Sequence, residues 1–521
     1  MQTLPNSERK PLLKISNLKQ YFPLKTKGLF VKANDGITLD IYEGETLGLV
    51  GESGCGKSTF GRTLLQLYRQ TDGRTMYYGK TLEDIAPKYM GDTIHTLDKR
   101  KVKLKELKEK QDRIQKEYDA IKEDGPAKFE KLSELQHAKK EADDAFLDVT
   151  NIFGGFVKVE DTAPVIEVYT RMYHEATKLH QLEERLSDAQ LDLADAEYAW
   201  KVAKEAGKKT NKSDSKAMSC QERVQKINGD IQEVRANLAS IHAEIDRMRK
   251  PYEQDEEFQR MEAYRDDGID LARLTYNEIR LLRSDLQMIF QDPYSSLNPR
   301  MTVGQIISEG MKAHKMFKKN DARLQERIIK VMDDAGLQSY FIHRYPHQFS
   351  GGQRQRIGIA RSLAVEPKFV VCDEAVSALD VSIQSQIINL LQDLKEQKNL
   401  TYLFITHDLS VVKYISDRIG VMYLGNLVEL ADSQEIFDHP LHPYTEALMN
   451  AIPTTDVENG REIQILEGDI PSPVKPPKGC KFHTRCKYCT EVCQHVTPEW
   501  VEASPNHFVA CHHMLGSETE E

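Results

Sequence analysis

The sequence predicts an α/β fold with a parallel sheet, and three short apolar segments carry this prediction. The first, Thr46–Val50, runs into a glycine-rich loop and then into a helix. The second, Phe369–Cys372, ends in two acids, and the third, Thr401–Ile405, ends in Thr-His-Asp. Short apolar runs that end in polar loops are typical of buried parallel strands, whose carboxyl ends form the ligand-binding edge of a sheet.

The length of 521 residues predicts more than one domain, and the composition is globular, with 40% hydrophobic and 29% charged residues. A net charge of −10 gives no support to nucleic-acid binding by the chain as a whole. The stretch MQTLPNSERKPLLKI lacks the apolar run of a secretory signal, and about 18 consecutive apolar residues occur nowhere. We therefore expect a cytosolic chain with reduced thiols.

The loop after the first strand, GESGCGKST, has the G-x-x-x-x-G-K-[ST] pattern of a phosphate-binding loop between a strand and a helix. Its glycines allow backbone N–H groups to surround phosphate oxygens at a helix N-terminus. Lys57 would reach the β- and γ-phosphates, and the Ser58 hydroxyl would bind Mg²⁺. The candidate nucleotide-binding residues of this loop are Gly51, Glu52, Ser53, Gly54, Cys55, Gly56, Lys57, Ser58 and Thr59.

The acids after the second strand suit hydrolysis at such a loop. Asp373 can hold the Mg²⁺ shell, and Glu374 can orient or deprotonate the attacking water. His407 follows the third strand and is expected at the same edge of the sheet. The stretch FSGGQRQRIGIARSL adds a second helix start suited to anions, beginning at Ser350.

Taken together, these motifs resemble the ATP-binding subunit of an ABC transporter. Gln291 matches the family's Q-loop and His407 its switch histidine, and the resemblance makes Glu374 and His407 the catalytic residues. The family implies a head-to-tail dimer in which each signature caps the ATP bound by the other subunit. The remaining matches are the signature, the D-loop aspartate and an adenine-stacking aromatic (Phe22, or less favourably Tyr21): Ser350, Gly351, Gly352, Gln353, Asp380 and Phe22.

The stretches QMIFQDPYSSLNPRMTVGQII, HPLHPYTEALMNAIP and GDIPSPVKPPKGCKFHTRC are similar to the oligopeptide/dipeptide importer subfamily. This resemblance implies ATP and Mg²⁺ as cofactors and transport powered through two membrane-spanning permease subunits, with an external peptide-binding protein. It also implies a second related ATPase subunit, which favours a heterodimer, and a peripheral location on the cytoplasmic face of the cell membrane. Nickel and other solutes stay open as alternatives to peptides.

The fold implied by the resemblance is an ABC-type P-loop ATPase core with an antiparallel β subdomain and a helical subdomain. A long helical insertion interrupts it, and a small Cys-rich extension follows it. The expected segments are 1–86 and 273–445 for the core, 87–272 for the insertion and 446–521 for the extension.

Within the insertion, apolar residues recur at alternating spacings of three and four over 179–203 and again over 224–248. The polar stretch GKKTNKSDSK separates these runs, which predicts an antiparallel coiled-coil hairpin with arms of roughly 40 Å. A weaker run over 104–121 breaks at Asp124-Gly125-Pro126 and suggests a second hairpin. Either a solvated decoration or a docking arm for a partner fits this pattern.

Coiled-coil insertions also occur in DNA-repair and chromosome-organising ATPases, which are the alternative class. Their coil follows the Q-loop glutamine, whereas here it precedes Gln291. Their arms are usually longer, and their CxxC pair lies at the tip of the coil. Here the pair Cys486-x-x-Cys489 lies near the C-terminus. These differences favour the ABC transporter subunit over the DNA-repair class of ATPase.

The C-terminal segment concentrates cysteines, and a reduced compartment disfavours disulfides there. The subfamily resemblance implies a [4Fe–4S] cluster held by Cys480, Cys486, Cys493 and Cys511. Cys489 departs from that pattern, because it adds a CxxC with several histidines nearby, so tetrahedral Zn²⁺ remains the alternative metal.

Overall fold

The structure is a computed structural model that describes residues 9–122, 125–207, 211–317, 322–451 and 468–516. None of the helices in these ranges combines the length and the apolar character that a bilayer span requires.

The strands form two sheets. Their bounds are β1 Pro11–Pro23, β2 Phe30–Tyr42, β3 Thr46–Val50, β4 Asp72–Tyr77, β5 Ile269–Asp270, β6 Leu286–Ile289, β7 Phe369–Asp373, β8 Thr401–Ile405, β9 Arg418–Tyr423, β10 Asn426–Asp432, β11 Val501–Ser504 and β12 His507–Val509.

The helices pack on these sheets or extend from them. Their bounds are α1 Lys57–Leu64, α2 Leu82–Ile85, α3 Lys88–His95, α4 Leu97–Asp119, α5 Pro126–Phe153, α6 Ala163–Glu205, α7 Asn211–Arg249, α8 Glu256–Glu262, α9 Tyr276–Leu282, α10 Val303–Ala313, α11 Ala322–Asp334, α12 Gly351–Leu363, α13 Val381–Lys398, α14 Leu409–Ile415, α15 Ser433–Asp438, α16 Pro443–Asn450 and α17 Glu491–His495.

The larger sheet has the order β11-β12-β10-β9-β3-β8-β7-β6. Strands β9, β3, β8, β7 and β6 are parallel, and β10, β12 and β11 continue the sheet in antiparallel fashion. The predicted parallel sheet is confirmed: β3 and β8 have the predicted bounds, and β7 extends one residue further, to Asp373. All residues of these three strands are buried, which explains their uninterrupted apolar runs.

The smaller sheet is antiparallel, with the order β2-β1-β4-β5. Tyr77 of β4 pairs with Ile269 of β5, so the long segment between them leaves and re-enters the fold at one place. A separate helical cluster, α10 to α12, buries its own apolar core around Ile307, Val331 and Ile357.

The segment between β4 and β5 is almost entirely helical. Helices α4 and α5 run side by side and are joined by the ion pairs Lys110–Glu141 and Lys131–Glu117, both at 2.8 Å. Helices α6 and α7 form a longer hairpin, in which Arg171 pairs with Glu244 at 2.6 Å and Arg235 with Glu183 at 3.0 Å. Helix pairs therefore lie at both places where the sequence suggests hairpins, and the coiled-coil packing stays a prediction.

Two details of the longer hairpin differ from the prediction. Helix α6 has 43 residues, so it is roughly 64 Å long rather than 40 Å. The part of α6 before Leu179 lay outside the predicted arm, although its buried residues Val165, Val168, Met172 and Ala176 recur at spacings of three and four. The helix also packs on α2 and α3. Of the stretch 207–216, predicted as a loop, residues 208–210 lie outside the part of the chain that the structure describes. Helix α7 already begins at Asn211, because polar residues are tolerated in a helix.

The insertion does not form a separate core. Leu97, Val149 and Phe153 are buried in the same apolar cluster as Leu13 and Ile15 of β1. Asp148 of α5 also forms ion pairs with Arg74 of β4 and with Arg273. Further along, Asp195 of α6 pairs with Arg323 of α11 at 2.8 Å, so the long hairpin also touches the helical cluster.

The C-terminal segment joins the larger sheet, because β12 pairs with β10 and β11 pairs with β12. Its short helix α17 lies against α5, where the ring of His495 stacks on that of Phe129 at 5.9 Å. The extension is thus attached both to the sheet and to the insertion.

Candidate functional site

A cavity of about 590 Å³ opens between the phosphate loop, the start of α1 and the carboxyl ends of β7 and β8. It brings together many of the residues predicted for the nucleotide site. These are Phe22, Ser53, Gly54, Gly56, Lys57, Ser58, Thr59, Gln291, Glu374 and His407.

Two glycines give the phosphate loop its shape. Gly51 has φ +148°, and a Cβ atom there would lie 2.2 Å from the carbonyl oxygen of Met422. Gly56 has φ +103°, and its Cβ would lie 2.1 Å from the carbonyl oxygen of Ala33. Any side chain at either position would force the loop away from its neighbours, so the pattern requires glycine at both.

Lys57 begins α1, and its side chain is almost completely buried. Its Nζ donates hydrogen bonds to the carbonyl oxygens of Gly51 at 2.7 Å and Glu52 at 3.1 Å. The ammonium group is thereby held inside the loop, next to the N-terminus of α1. Its positive charge and the partial positive charge of the helix N-terminus both favour the binding of phosphate. Cys55 is a buried packing residue, and burial raises the pKa of its thiol.

Asp373, at the end of β7, is completely buried. Its Oδ2 accepts a hydrogen bond from Arg62 of α1 at 3.2 Å. Its Oδ1 has no hydrogen-bond partner among the residues that the structure describes. A buried carboxylate oxygen without a donor is costly unless a cation occupies the site, so the donor set fits Mg²⁺.

Glu374 has a left-handed backbone conformation, with φ +46°. Its N–H still donates to the carbonyl oxygen of Ile405 on β8 at 3.0 Å, while its side chain turns into the cavity. There Gln291 Nε2 donates to Glu374 Oε2 at 2.7 Å, and His407 Nδ1 lies 3.6 Å from Glu374 Oε1. Backbone strain of this kind is concentrated at functional sites.

Phe22 lies at the opposite wall of the cavity, and its ring meets that of Tyr68 edge-on at 5.2 Å. The alternative residue, Tyr21, instead donates a hydrogen bond to Asp35. Burial and this bond raise the pKa of Tyr21. The geometry favours Phe22 as the aromatic wall of the site.

The signature segment begins helix α12, where Ser350 Oγ accepts a hydrogen bond from the N–H of Gln353 at 3.4 Å. A Cβ atom on Gly352 would lie 2.5 Å from Ile383 of α13, and Asp380 lies at the N-terminus of that helix. Among the described residues that line the cavity, none comes from Ser350 to Gln353 or is Asp380. These residues form a second, separate surface.

Comparison with known proteins decides the family. The sequence model of the ABC transporter family matches residues 34–195 and 255–377, together more than half of the chain. The chain belongs to the ABC transporter family of ATPases. The model of the oligopeptide/dipeptide transporter C-terminal region matches residues 428–493.

Three relatives illustrate the similarity. The oligopeptide transport ATP-binding protein AppF of Bacillus subtilis (strain 168) is 52% identical over 47% of this chain and 75% of its own length. The putative oligopeptide transport ATP-binding protein YkfD of the same strain is 52% identical over 49% and 78%. The oligopeptide transport ATP-binding protein OppF of Salmonella typhimurium (strain LT2) is 53% identical over 47% and 73%. These matches give no support to the DNA-repair alternative.

Several residues at the ABC site had no signal in the sequence. Arg62 of α1 donates a hydrogen bond to Asp373. Lys32, Gly425 and Pro473 line the cavity. Pro473 comes from the C-terminal segment, far from the phosphate loop in sequence. Such contacts depend on tertiary packing, and no local spacing of residues in the sequence predicts them.

All eight cysteines are free thiols. Burial raises the pKa of Cys480 to about 12 and that of Cys511 to about 11, and neighbouring thiols, including those of Cys486 and Cys493, add to both shifts. The four residues that the subfamily pattern implies are therefore near one another. Across the described residues, however, no group of three or more His, Cys, Asp or Glu side chains is arranged so that it could hold a metal ion.

Proposed function

We propose that this chain is the ATP-hydrolysing subunit of an importer for oligopeptides or dipeptides. The observation that carries the proposal is the convergence of Lys57, Gln291, Glu374 and His407 on one cavity beside the buried Asp373. The match of residues 428–493 to the oligopeptide/dipeptide transporter C-terminal region supports peptides as the cargo, as do the names of the relatives.

In the proposed mechanism, the phosphate loop and Lys57 bind the β- and γ-phosphates, and Phe22 stacks on the adenine. Ser58 and Asp373 would hold Mg²⁺, which would supply charge neutralisation at the phosphates. Glu374 orients the attacking water and accepts its proton, while Gln291 and His407 fix the carboxylate from two sides. These roles are consistent with a loop that already holds its lysine in place.

The signature surface requires a partner. We propose that Ser350 to Gln353, together with Asp380, caps the nucleotide of a second, related ATPase subunit in a head-to-tail dimer. The exposure of Ser350 and Asp380 and the separation of this surface from the cavity of the same chain support this arrangement. Two membrane-spanning permease subunits and an external peptide-binding protein complete the proposed complex, which places this chain at the cytoplasmic face of the membrane.

Peptide-stimulated turnover tests this function. The chain, purified with its associated membrane subunits and placed in liposomes, is expected to hydrolyse ATP faster when peptide-loaded binding protein is added. Stimulation by nickel-loaded binding protein and not by peptides would identify another cargo, and no stimulation by any cargo would reject the transport role.

We propose that residues 87–272 form an insertion whose long hairpin is an antiparallel coiled coil, between core segments 1–86 and 273–445, with residues 446–521 as the extension. The side-by-side packing of α6 and α7 supports the coiled coil, with Leu182, Ala189, Val234 and Leu238 buried along the seam. We further propose that this hairpin is a docking arm for the rest of the transporter.

For the extension, we propose a structural [4Fe–4S] cluster on Cys480, Cys486, Cys493 and Cys511, with Zn²⁺ as the alternative. The four free thiols lie near one another, but in the described structure they are not arranged around a common metal position, so the cluster would require their side chains to turn toward one another. A single Zn²⁺ would need its sulfur ligands about 3.8 Å apart, because tetrahedral Zn–S bonds are about 2.3 Å long. A cluster is larger and holds its thiolates further apart.

Colour and elemental analysis test the cluster. Anaerobically purified protein is expected to be brown, to lose its colour in Cys486→Ser and to keep it in the matched control Cys489→Ser. Colourless protein with one equivalent of zinc would favour the alternative, and metal-free folded protein would reject both.

A further inference from the structure

We propose that the described part of the C-terminal extension, residues 468–516 and here called the tail, positions the phosphate loop. Arg485 is the positioning residue through which the tail does so. The inference deepens the proposed function, because it rests on the same cavity binding ATP. Arg485 lies in the tail, and its partner Glu52 is the second residue of the phosphate loop, 433 positions away in sequence.

The contact is a bidentate ion pair. Arg485 Nη1 donates to Glu52 Oε2 at 2.8 Å, and Arg485 Nη2 donates to Glu52 Oε1 at 3.1 Å. The arginine side chain is only 5% exposed, and its guanidinium group lies 5.9 Å from the ring centre of Tyr423. The Glu52 side chain is 24% exposed, so the pair is only partly shielded from water. Its fork-like geometry still fixes both partners more firmly than a single-contact surface ion pair does.

The backbone of Glu52 is held from the same side. Its N–H donates to Tyr444 Oη at 2.9 Å. The ring of Tyr444 packs against that of Phe482, a tail residue, with their centres 5.3 Å apart. Side chain and backbone of one loop residue therefore depend on groups that belong to the tail or pack against it.

Glu52 also contacts Lys57, the residue that would reach the phosphates. Its carbonyl oxygen accepts a hydrogen bond from Lys57 Nζ at 3.1 Å, next to the bond from the same ammonium group to Gly51. A shift of Glu52 therefore moves an acceptor of the phosphate-binding lysine. Arg485 acts through Glu52 and does not itself line the cavity.

The tail also reaches the opposite wall of the cavity. Pro473 lines the cavity, and its carbonyl oxygen accepts a hydrogen bond from the N–H of Lys32 at 3.1 Å. Lys481 forms an ion pair with Asp35 at 3.0 Å and donates to the carbonyl oxygen of Leu424 at 3.1 Å. The tail thus contacts both the loop and the β-strand side of the site.

Two consequences follow. Loss of the arginine leaves the Glu52 carboxylate uncompensated inside a loop that must accept phosphate, so nucleotide affinity should fall. Coupling between two sites is also reciprocal, so bound nucleotide should make the tail more ordered. A pair that served only to anchor the tail would produce neither effect.

The test compares nucleotide affinity in the full-length chain. Arg485→Ala is expected to weaken binding of a fluorescent ATP analogue on the order of tenfold, and Arg485→Lys by less, because lysine keeps the charge but not the fork. The double variant Glu52→Gln/Arg485→Ala is expected to recover part of the affinity, because it removes the uncompensated charge. Lys487→Ala is the matched control, since this tail residue pairs with Glu446 of α16 instead.

Turnover and hydrogen exchange separate positioning from stability. KM for ATP should rise in Arg485→Ala while kcat stays within about twofold, because Glu374 is unaffected. Added nucleotide should slow amide exchange over residues 479–489 in the wild type and in Lys487→Ala, but not in Arg485→Ala.

An affinity for Arg485→Ala within about twofold of the wild type, or equal to that of Lys487→Ala, would overturn the proposal. So would an unchanged exchange rate in the tail of the wild type with nucleotide bound. If Arg485→Ala does not fold, the nucleotide affinities of Arg485→Lys and Glu52→Gln are compared with those of the wild type and Lys487→Ala instead. A wild-type chain that binds no nucleotide would instead reject the proposed function itself.

Discussion

Two consecutive acids at the end of β7 have opposite environments. Asp373 is fully buried beside Arg62, whereas Glu374 turns through a left-handed backbone conformation into the cavity. One carboxylate is placed to hold a cation, and the next is placed to meet a water molecule. The backbone turns between these two residues, and Glu374 contacts Gln291 from its left-handed conformation.

Replacing Glu374 by glutamine tests that division. Glu374→Gln is expected to bind ATP as well as the wild type does and to lose turnover at least about a hundredfold, because the water has no base while Asp373 is unchanged. Phosphate release is measured in the presence of the partner subunits, and affinity with a fluorescent nucleotide.

Glu366→Gln is the control for this experiment. Glu366 also has a left-handed backbone conformation, with φ +57°, but its side chain pairs with Arg327 on the surface. Turnover of Glu374→Gln within twofold of the wild type would show that another group activates the water.

At the scale of elements, prediction succeeded where local pattern and burial coincide. Strands β3 and β8 were placed to the residue because each is an apolar run between polar turns and is buried on both faces. The predicted arm began at Leu179 and left out the start of α6, where Val165, Val168, Met172 and Ala176 continue the apolar spacing. The helix also packs there on the short helices α2 and α3, which no heptad pattern predicts.

The residues of the candidate site likewise fall into those that local motifs predict and those that only tertiary contacts define. Lys57, Glu374 and Gln291 could be proposed from the sequence because their motifs are local and end a strand or begin a helix, and all three line one cavity. Strand β12 could not be found, because it has three residues and its partner β10 lies about eighty positions earlier, so only tertiary contacts define it. Arg485 was missed for the same reason.

The long hairpin makes a prediction of its own at this scale. Replacing residues 190–225 by a short Gly/Ser turn should leave nucleotide affinity within about twofold, because Leu179, Leu182, Val234 and Leu238 still form the seam near the base. Recovery of the membrane subunits in co-purification should fall sharply if the tip of the hairpin is a docking arm.

Asp195→Ala is the companion variant, because it removes the ion pair with Arg323 of α11 without shortening the hairpin. Wild-type recovery of the membrane subunits with the shortened chain would remove the docking role. An insoluble shortened chain would show instead that the tip contributes to the core.

Across the whole molecule, one buried carboxylate joins the sheet, a helix and the tail. Glu429 of β10 accepts hydrogen bonds from the N–H groups of Leu441 and His442, at the start of α16, and lies 2.7 Å from His507 of β12. All the side chains in this cluster except that of Leu441 are nearly inaccessible to solvent. These contacts form a junction that holds the C-terminal segment on the larger sheet.

His442 gives the junction a dependence on pH. Burial lowers the pKa of His442 to about 4, and the nearby Glu429 opposes this shift only in part. The unfolded chain takes up a proton at this residue near pH 6.5, which the folded chain does not. Stability should therefore fall as the pH falls from 6.5 to 4, by up to about 1.4 kcal/mol per pH unit from this residue alone.

His442→Asn should flatten that dependence, because asparagine cannot be protonated and its Oδ1 can still accept the hydrogen bond that the Tyr444 N–H donates to His442 at 3.0 Å. Apparent Tm at a fixed scan rate is measured from pH 7.5 to 4.5 for the wild type, His442→Asn and the control His439→Asn, an exposed neighbour. The wild type and the control should lose Tm together at low pH, and His442→Asn should lose less. If His442→Asn follows the wild type across the whole range, the buried imidazole is not the group whose protonation loosens the junction, and the acids around Glu429 become the ones to replace.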